Sequence, residues 1–193
     1  TALIYEIGAE PGARAHAVHV STSRGFEICN MYRRNGHRAS IETCVQYLML
    51  NHEEHTRRFG AKTKHYPPIR PKAEVDLLWT HIANDECTFV SSDHVSWGLE
   101  RKQNPNVFKN SSGGPGLETL LPAFWTGCEE HGISPTMVVR QLCRPRQALP
   151  ARRPQGHAGC RQGRRHRHPH PGTLRLRSVR QPGRRELELV RGP

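Results

Sequence analysis

No stretch of the chain approaches the roughly 20 consecutive apolar residues that a membrane-spanning helix needs, so no membrane partner is expected. The opening residues, Thr1-Ala2-Leu3-Ile4-Tyr5, lack a basic leader and an initiator Met. They read as the start of a piece of a longer protein rather than as a secretory signal. None of the six cysteines stands in a CxxC pair. Without a secretory signal they read as reduced, mostly buried thiols, which places the protein in the cytoplasm. Apolar residues make up only 35% of the 193, low for a globular chain, although the length suffices for one domain with a sizeable core.

A second shortage is local. Residues 144–193 contain no Lys, Asp, Asn, Ile, Met, Phe, Tyr or Trp, and Arg, Pro, Gly, Gln and His dominate them. The formal charge of +12 lies wholly in this stretch. Residues 1–143 balance 15 Lys+Arg against 15 Asp+Glu, whereas residues 144–193 set 14 Arg against Glu186 and Glu188. The chain therefore divides into a neutral domain, 1–143, and a basic tail, 144–193. The tail cannot bury enough apolar surface to offset its chain entropy, so it is expected to be disordered. One functional reading of it is a nucleic-acid-binding arm. Its His157, Cys160, His166, His168 and His170 could take up metal adventitiously.

Within residues 1–143, apolar segments alternate in type. Residues 15–21 read as a short buried strand, and Gly25–Asn35 as a helix stopped by Gly36. Residues 39–50 read as a second strand running through Cys44 to Leu48, and residues 66–71 as a rigid loop with paired prolines. Residues 72–83 read as a helix, 87–92 as a third strand, and Glu118–Gly132 and Pro135–Cys143 as helices. This order predicts an α/β fold of βα units around a parallel sheet. Three units are too few to close a (β/α)8 barrel but suit its last part.

In such a sheet the carboxyl ends of the strands carry the chemistry. His19 falls at the end of the first strand, and Asp93 just beyond the third, followed by His94. Imidazole and carboxylate are suitable ligands for zinc or a similar divalent ion. The plainer alternative is a satisfied core histidine and an aspartate capping a turn. His16, close to the same strand end, is read as structural, and His94 as packing or as support for a ligand.

Five segments, in order, carry a resemblance: His19-Val20-Ser21-Thr22-Ser23, Glu42-Thr43-Cys44-Val45-Gln46-Tyr47-Leu48, Pro67-Pro68-Ile69-Arg70-Pro71, Ser92-Asp93-His94 and Ser112-Gly113-Gly114-Pro115-Gly116-Leu117-Glu118-Thr119. Together they resemble the C-terminal half of the cyclic amidases of the amidohydrolase superfamily, the dihydropyrimidinase, hydantoinase, allantoinase and dihydroorotase group. The resemblance implies a (β/α)8 barrel of the metal-dependent hydrolase type and a centre of two divalent metals, zinc by expectation. His19 would be a metal ligand; Asp93 would be both a metal ligand and the group that moves the proton. The implied substrate is a small cyclic amide, and the implied assembly a homo-oligomer, a tetramer. Nucleic acid is not an expected partner.

Tyr66 and Ser112, with Gly113, stand where the family holds its substrate. Tyr66 replaces the usual Ser, Ser112 the usual Asn, and Val45 replaces a Pro. The remaining metal ligands of the family would lie upstream of Thr1, so the chain as given is expected to be inactive. A non-catalytic scaffolding relative is the other reading of the same motifs.

The family also offers an account of the tail. Read one base later, the degenerate codons of Gln155–Gly159 permit Lys-Gly-Thr-Leu, and those of Gly163–Leu174 permit Asp-Ala-Asp-Ile-Val-Ile-Leu-Thr-Pro-Glu-Pro. Both strings are similar to the family's C-terminal β-sandwich. Residues 144–193 are therefore read as an off-frame translation that begins near Cys143.

Overall fold

The computed structural model describes residues 1–143, together with the backbone of residues 175–181 and 184–190. Helix α1 (Ala2–Ala9) leads into β1 (Ala15–Ala17), and α2 (Ser23–Arg34) into β2 (Ala39–Cys44). The chain turns directly into α3 (Val45–Met49). A π-helical turn (His52–Thr56), the short α4 (Arg57–Phe59) and a 3-10 turn (Gly60–Thr63) follow. Then come α5 (Lys72–Ala83), β3 (Phe89–Ser91), α6 (Leu120–Glu130) and α7 (Pro135–Cys143).

The three strands form a parallel sheet in the order β1-β2-β3, with Ala17 opposite Ile41 and Thr43 opposite Val90. Among the described residues β1 and β3 each pair only with β2, which leaves an open sheet with two edges, as the sequence leads one to expect. A separate unit holds β4 (Arg175–Gln181) and β5 (Arg184–Val190), which pair antiparallel. Disorder was expected throughout the tail; these two stretches are strands instead. The rest of the tail, with the proposed frame error and adventitious histidines, lies outside the described residues.

Strand alternation sorts the sheet into two faces. Ala17, Ile41, Thr43 and Val90 are buried against the helices, with Phe26, Cys29, Leu78, Ile82 and Phe124 forming the core. His16, Ser40, Glu42, Cys44 and Ser91 share the opposite face. That face is mostly polar. The exposed apolar groups sit elsewhere, for example Leu3 and Ile7, one turn apart on α1.

Helix ends explain why the elements stop where they do. After α2, Gly36 (φ 83°) donates its N–H to Arg33 O and His37 to Tyr32 O, the paired bonds of a Schellman stop. After α5, Asp85 takes the same left-handed place (φ 58°), with Asp85 N–H on Ile82 O and Glu86 N–H on His81 O.

The thiols match their sequence reading. Cys29, Cys44, Cys87 and Cys128 are buried, and burial raises each pKa, Cys87 to about 12 and Cys128 to about 11. Cys143 is exposed. Thiolate is the reactive form. In a Cys160→Ser background, a thiol reagent at pH 8 is therefore expected to label Cys143 quickly and the other four only on denaturation, as read by mass spectrometry of the labelled peptides.

Candidate active site

His19 lies two residues beyond β1 and Asp93 two residues beyond β3, at the same, carboxyl, end of the sheet. Both have left-handed backbones, φ 42° at His19 and φ 43° at Asp93. For a residue with a Cβ that conformation costs on the order of 1–2 kcal/mol, and it persists only where the surroundings hold it.

At His19 those surroundings are visible. The next residue, Val20, donates its N–H to Glu42 O at 2.9 Å and accepts the Thr43 hydroxyl at 2.7 Å. The half-buried His19 ring keeps its Nδ1 shut off from solvent with no hydrogen-bond partner. A buried polar atom without a partner is exceptional and points to a missing group. The Asp93 carboxylate is exposed, and its charge reaches Cys44, Tyr47 and His65.

The neighbours of Asp93 have structural roles. His94 Nδ1 accepts the N–H groups of Gly116 (3.1 Å) and Leu117 (3.2 Å), fixing the glycine-rich turn against the β3 rim. His16 stacks on Phe89 with centroids 5.2 Å apart and meets Ser40 Oγ at 2.8 Å.

The substrate candidates are drawn together at the same loops. Gly113 N–H donates to Lys64 O at 3.1 Å, which seats residues 112–114 beside Tyr66. Gly113 O accepts the ammonium of Lys102, and Ser112 O accepts Trp97 Nε1 at 2.7 Å. The Gly113 backbone groups are thus already engaged. Tyr66 is 64% exposed, and the Lys64 ammonium stands 5.2 Å from its ring centroid. Two cavities of about 460 and 440 Å³ flank this region and share Thr63 and His65. Tyr66 and Pro68 line the second, Val45, Met49 and Gly114 the first.

Sequence reasoning missed His65, Lys102 and Glu42. Burial lowers the His65 pKa, favouring the neutral ring, with Thr63 O and Asp93 opposing. Burial and then Lys64 lower that of Lys102, whose ammonium bridges Lys64 O and Gly113 O. Glu42, on the polar face of β2, accepts the Ser91 hydroxyl at 2.6 Å and meets His16 Nε2 at 3.4 Å. Burial raises its pKa, but those contacts, the His16 charge and the His19 backbone amide outweigh burial and hold it below the usual carboxylate range.

A second cluster has the order of a hydrolase triad. Ser23 Oγ lies 2.8 Å from His81 Nε2, and His81 Nδ1 meets Glu86. Ser23 is buried, its N–H is taken by Glu74, and it lines neither cavity. This cluster is a strut between α2 and α5.

The two rim residues supply one imidazole and one carboxylate, donors that suit zinc, and the orphaned His19 nitrogen fits a cation as its partner. Among the described residues no group of three or more His, Cys, Asp or Glu gathers as a cation site. None of their helices is long and apolar enough to cross a membrane.

No family model matches the chain. It is 34% identical over 137 residues to an allantoinase of Rubrobacter xylanophilus, covering 70% of this chain and 30% of that one. It is 36% identical over 132 residues to a D-hydantoinase of Ralstonia pickettii, covering 66% and 29%. Among solved structures, the L-hydantoinase (dihydropyrimidinase) of Arthrobacter aurescens superposes with a TM-score of 0.71 at 28% identity, over 75% of this chain and 33% of that one. The chain thus spans about a third of the length of the relatives it matches.

Proposed function

The chain belongs to the cyclic amidase group of the amidohydrolase superfamily, and from that premise we propose that residues 1–143 form the last part of a (β/α)8 barrel whose complete form opens a cyclic amide by hydrolysis. His19 gives one nitrogen, and Asp93 one carboxylate, to a centre of two divalent cations, zinc by preference. When bound, such cations supply Lewis-acid polarisation of the scissile carbonyl.

Asp93 takes a proton from the attacking water and delivers it to the leaving nitrogen, first base and then acid. Its exposed carboxylate at the strand end is free to make that transfer. The turn at Ser112 and Gly113, held against residue 64 by Lys102, forms the substrate wall with Tyr66. Tyr66 and Ser112 make the ring accepted here differ from that of a relative with Ser and Asn at these places. The complete enzyme is a homo-oligomer, a tetramer.

One observation carries this reading. A histidine with an unpaired buried nitrogen and an exposed aspartate, both in left-handed backbone, stand at the same end of two strands that share one neighbour. Two donors do not make a two-metal centre. The 193-residue chain by itself is therefore expected to show no metal-dependent turnover of dihydrouracil, hydantoin or allantoin. Ring opening is followed by the loss of amide absorbance with zinc, cobalt or manganese added. Turnover above the chelator blank would overturn the proposed inactivity of this chain.

A further inference from the structure

The two cavities beside the substrate loops share a side chain with an unused ring nitrogen. His65 lines both of them and precedes Tyr66 in the chain. Its Nδ1 lies 2.9 Å from Thr63 O. A carbonyl oxygen only accepts, so Nδ1 carries the proton, and in a neutral imidazole Nε2 is then a bare acceptor. Burial, joined by the Lys102 charge, favours that neutral ring over the opposing pull of Thr63 O and Asp93. Nε2 has no hydrogen-bond partner among the described residues. The ring is held in place around it. Tyr47 meets the imidazole edge-on with centroids 6.4 Å apart, and Tyr47 OH is itself fixed on Pro67 O at 3.0 Å. A Cβ added at Gly114 would stand 3.7 Å from Nε2, so this nitrogen lies against the 112–114 turn.

We infer that His65 determines specificity at this site: its Nε2 accepts a ring N–H of the bound substrate, so the first cavity takes a cyclic amide or ureide with a free N–H and disfavours its N-alkylated form. The substrate class rests on the proposed function; the bare acceptor beside the turn is a property of this chain. The backbone groups of the turn are already engaged. Gly113 N–H donates to Lys64 O, Gly113 O accepts Lys102, and Ser112 O accepts Trp97 Nε1. Nε2 is unused. Among the described residues no Asp or Glu lines the first cavity, so no carboxylate there competes for a ring N–H. Val45, Met49 and Leu50 give that cavity an apolar wall, and its volume of about 460 Å³ suits a ring with a substituent. In such surroundings a polar group left without its partner is penalised, and discrimination follows from the one hydrogen bond.

The test uses the full 193-residue chain labelled with nitrogen-15. The probes are 5-phenylhydantoin and its 1,3-dimethyl derivative, which has no N–H. Long-range proton–nitrogen NMR of the free chain is expected to show His65 Nδ1 protonated and Nε2 bare. Adding 5-phenylhydantoin should move the Nε2 signal saturably. The dimethyl ring should bind about tenfold more weakly, the loss of one hydrogen bond. His65→Phe keeps a flat ring and removes the acceptor. It is expected to weaken 5-phenylhydantoin about tenfold and to erase the preference between the two probes. A purely steric penalty for the methyl groups would survive that replacement. His65→Gln, which returns an acceptor oxygen near the place of Nε2, should recover part of the preference.

A merely structural role for His65 predicts another pattern: His65→Phe weakens both probes alike and the preference for the N–H ring persists. That pattern overturns the inference. So does a protonated Nε2 in the free chain, or an Nε2 signal unmoved by 5-phenylhydantoin up to its solubility limit. The first two results need no variant that folds poorly, since the free-chain spectrum and the probe pair are read on the unaltered protein. The outcomes also separate from those of the proposed function. If the preference follows His65 but replacing Asp93 leaves a complete enzyme fully active, the recognition stands and the assigned chemistry falls. If Asp93 is needed but the preference survives His65→Phe, the chemistry stands and the role of His65 falls.

Discussion

A chimera in which residues 15–143 replace the matching stretch of the Ralstonia pickettii D-hydantoinase is expected to open a hydantoin ring, and Asp93→Asn in that chimera to lower kcat by about 10²–10⁴-fold. The size follows from proton bookkeeping. Water attacking an amide carbonyl must lose a proton, and the departing nitrogen must gain one. A single carboxylate beside both atoms can do each in turn. Asparagine fills the same space and can accept a hydrogen bond, but it cannot take up a proton.

If Asp93 acts in this way, KM should change much less than kcat, because the lost interaction belongs to the transition state. His19→Ala in the same chimera is expected to act differently. It removes a ligand nitrogen, so bound metal measured by elemental analysis should fall together with activity. An Asp93→Asn chimera that folds, binds metal and keeps its kcat would remove Asp93 from the chemistry. A chimera with native circular dichroism, bound metal and no hydantoin, dihydrouracil or allantoin turnover would instead put the substrate reading in doubt, and attention would move to Tyr66 and Ser112.

The fold was legible where punctuation is chemical. Helix α5 follows Pro71 and is closed by Asn84 and Asp85, and both limits, 72 and 83, could be read from the sequence. Helix α7 begins at Pro135 for the same reason. Strand limits were less legible. Residues 15–21 read as one strand, yet β1 ends at Ala17 because the chain adopts positive φ at His19. An apolar run does not reveal a local backbone reversal. Residues 39–50 likewise divide into strand and helix at Val45, where burial continues but the period changes from two to that of a helix. Helix α1 and the tight turns of residues 52–63 went unread; the turns are short and polar, with no apolar stripe to betray them.

The candidate site divides along similar lines. His19 and Asp93 are recognisable because they close motifs at strand ends. Glu42 was inside a quoted motif but carried no visible role, since its partners His16 and Ser91 stand 26 and 49 positions away. Lys102 was invisible for a different reason. Lysine is almost never buried unless paired, and its acceptors are two backbone carbonyls, which no side-chain pattern announces.

Trp79→Ala is expected to cost about 3–5 kcal/mol of stability, the range for emptying a buried aromatic site. Only 3% of Trp79 is exposed, and three elements meet on its indole. Phe124 of α6 stacks at 5.9 Å, His131 beyond α6 at 4.6 Å, and Leu48 of α3 accepts its Nε1–H at 2.9 Å. The fit leaves no slack: a Cβ added at Gly127 would come within 2.4 Å of the ring. Alanine removes the packing of α5 on α6 and leaves the Leu48 carbonyl without its donor. Domains hold together by about 5–15 kcal/mol in all, so a large share of the molecules should unfold at moderate urea. The urea midpoint by circular dichroism should fall with the slope unchanged. Trp79→Phe keeps a six-membered aromatic ring but loses the pyrrole part with its Nε1–H, and is expected to cost less than Trp79→Ala, about 1–3 kcal/mol. Should Trp79→Ala shift stability by less than about 1 kcal/mol, well below the range for a packed aromatic, the α3–α5–α6 junction described here would not be what holds the helix layer against the sheet.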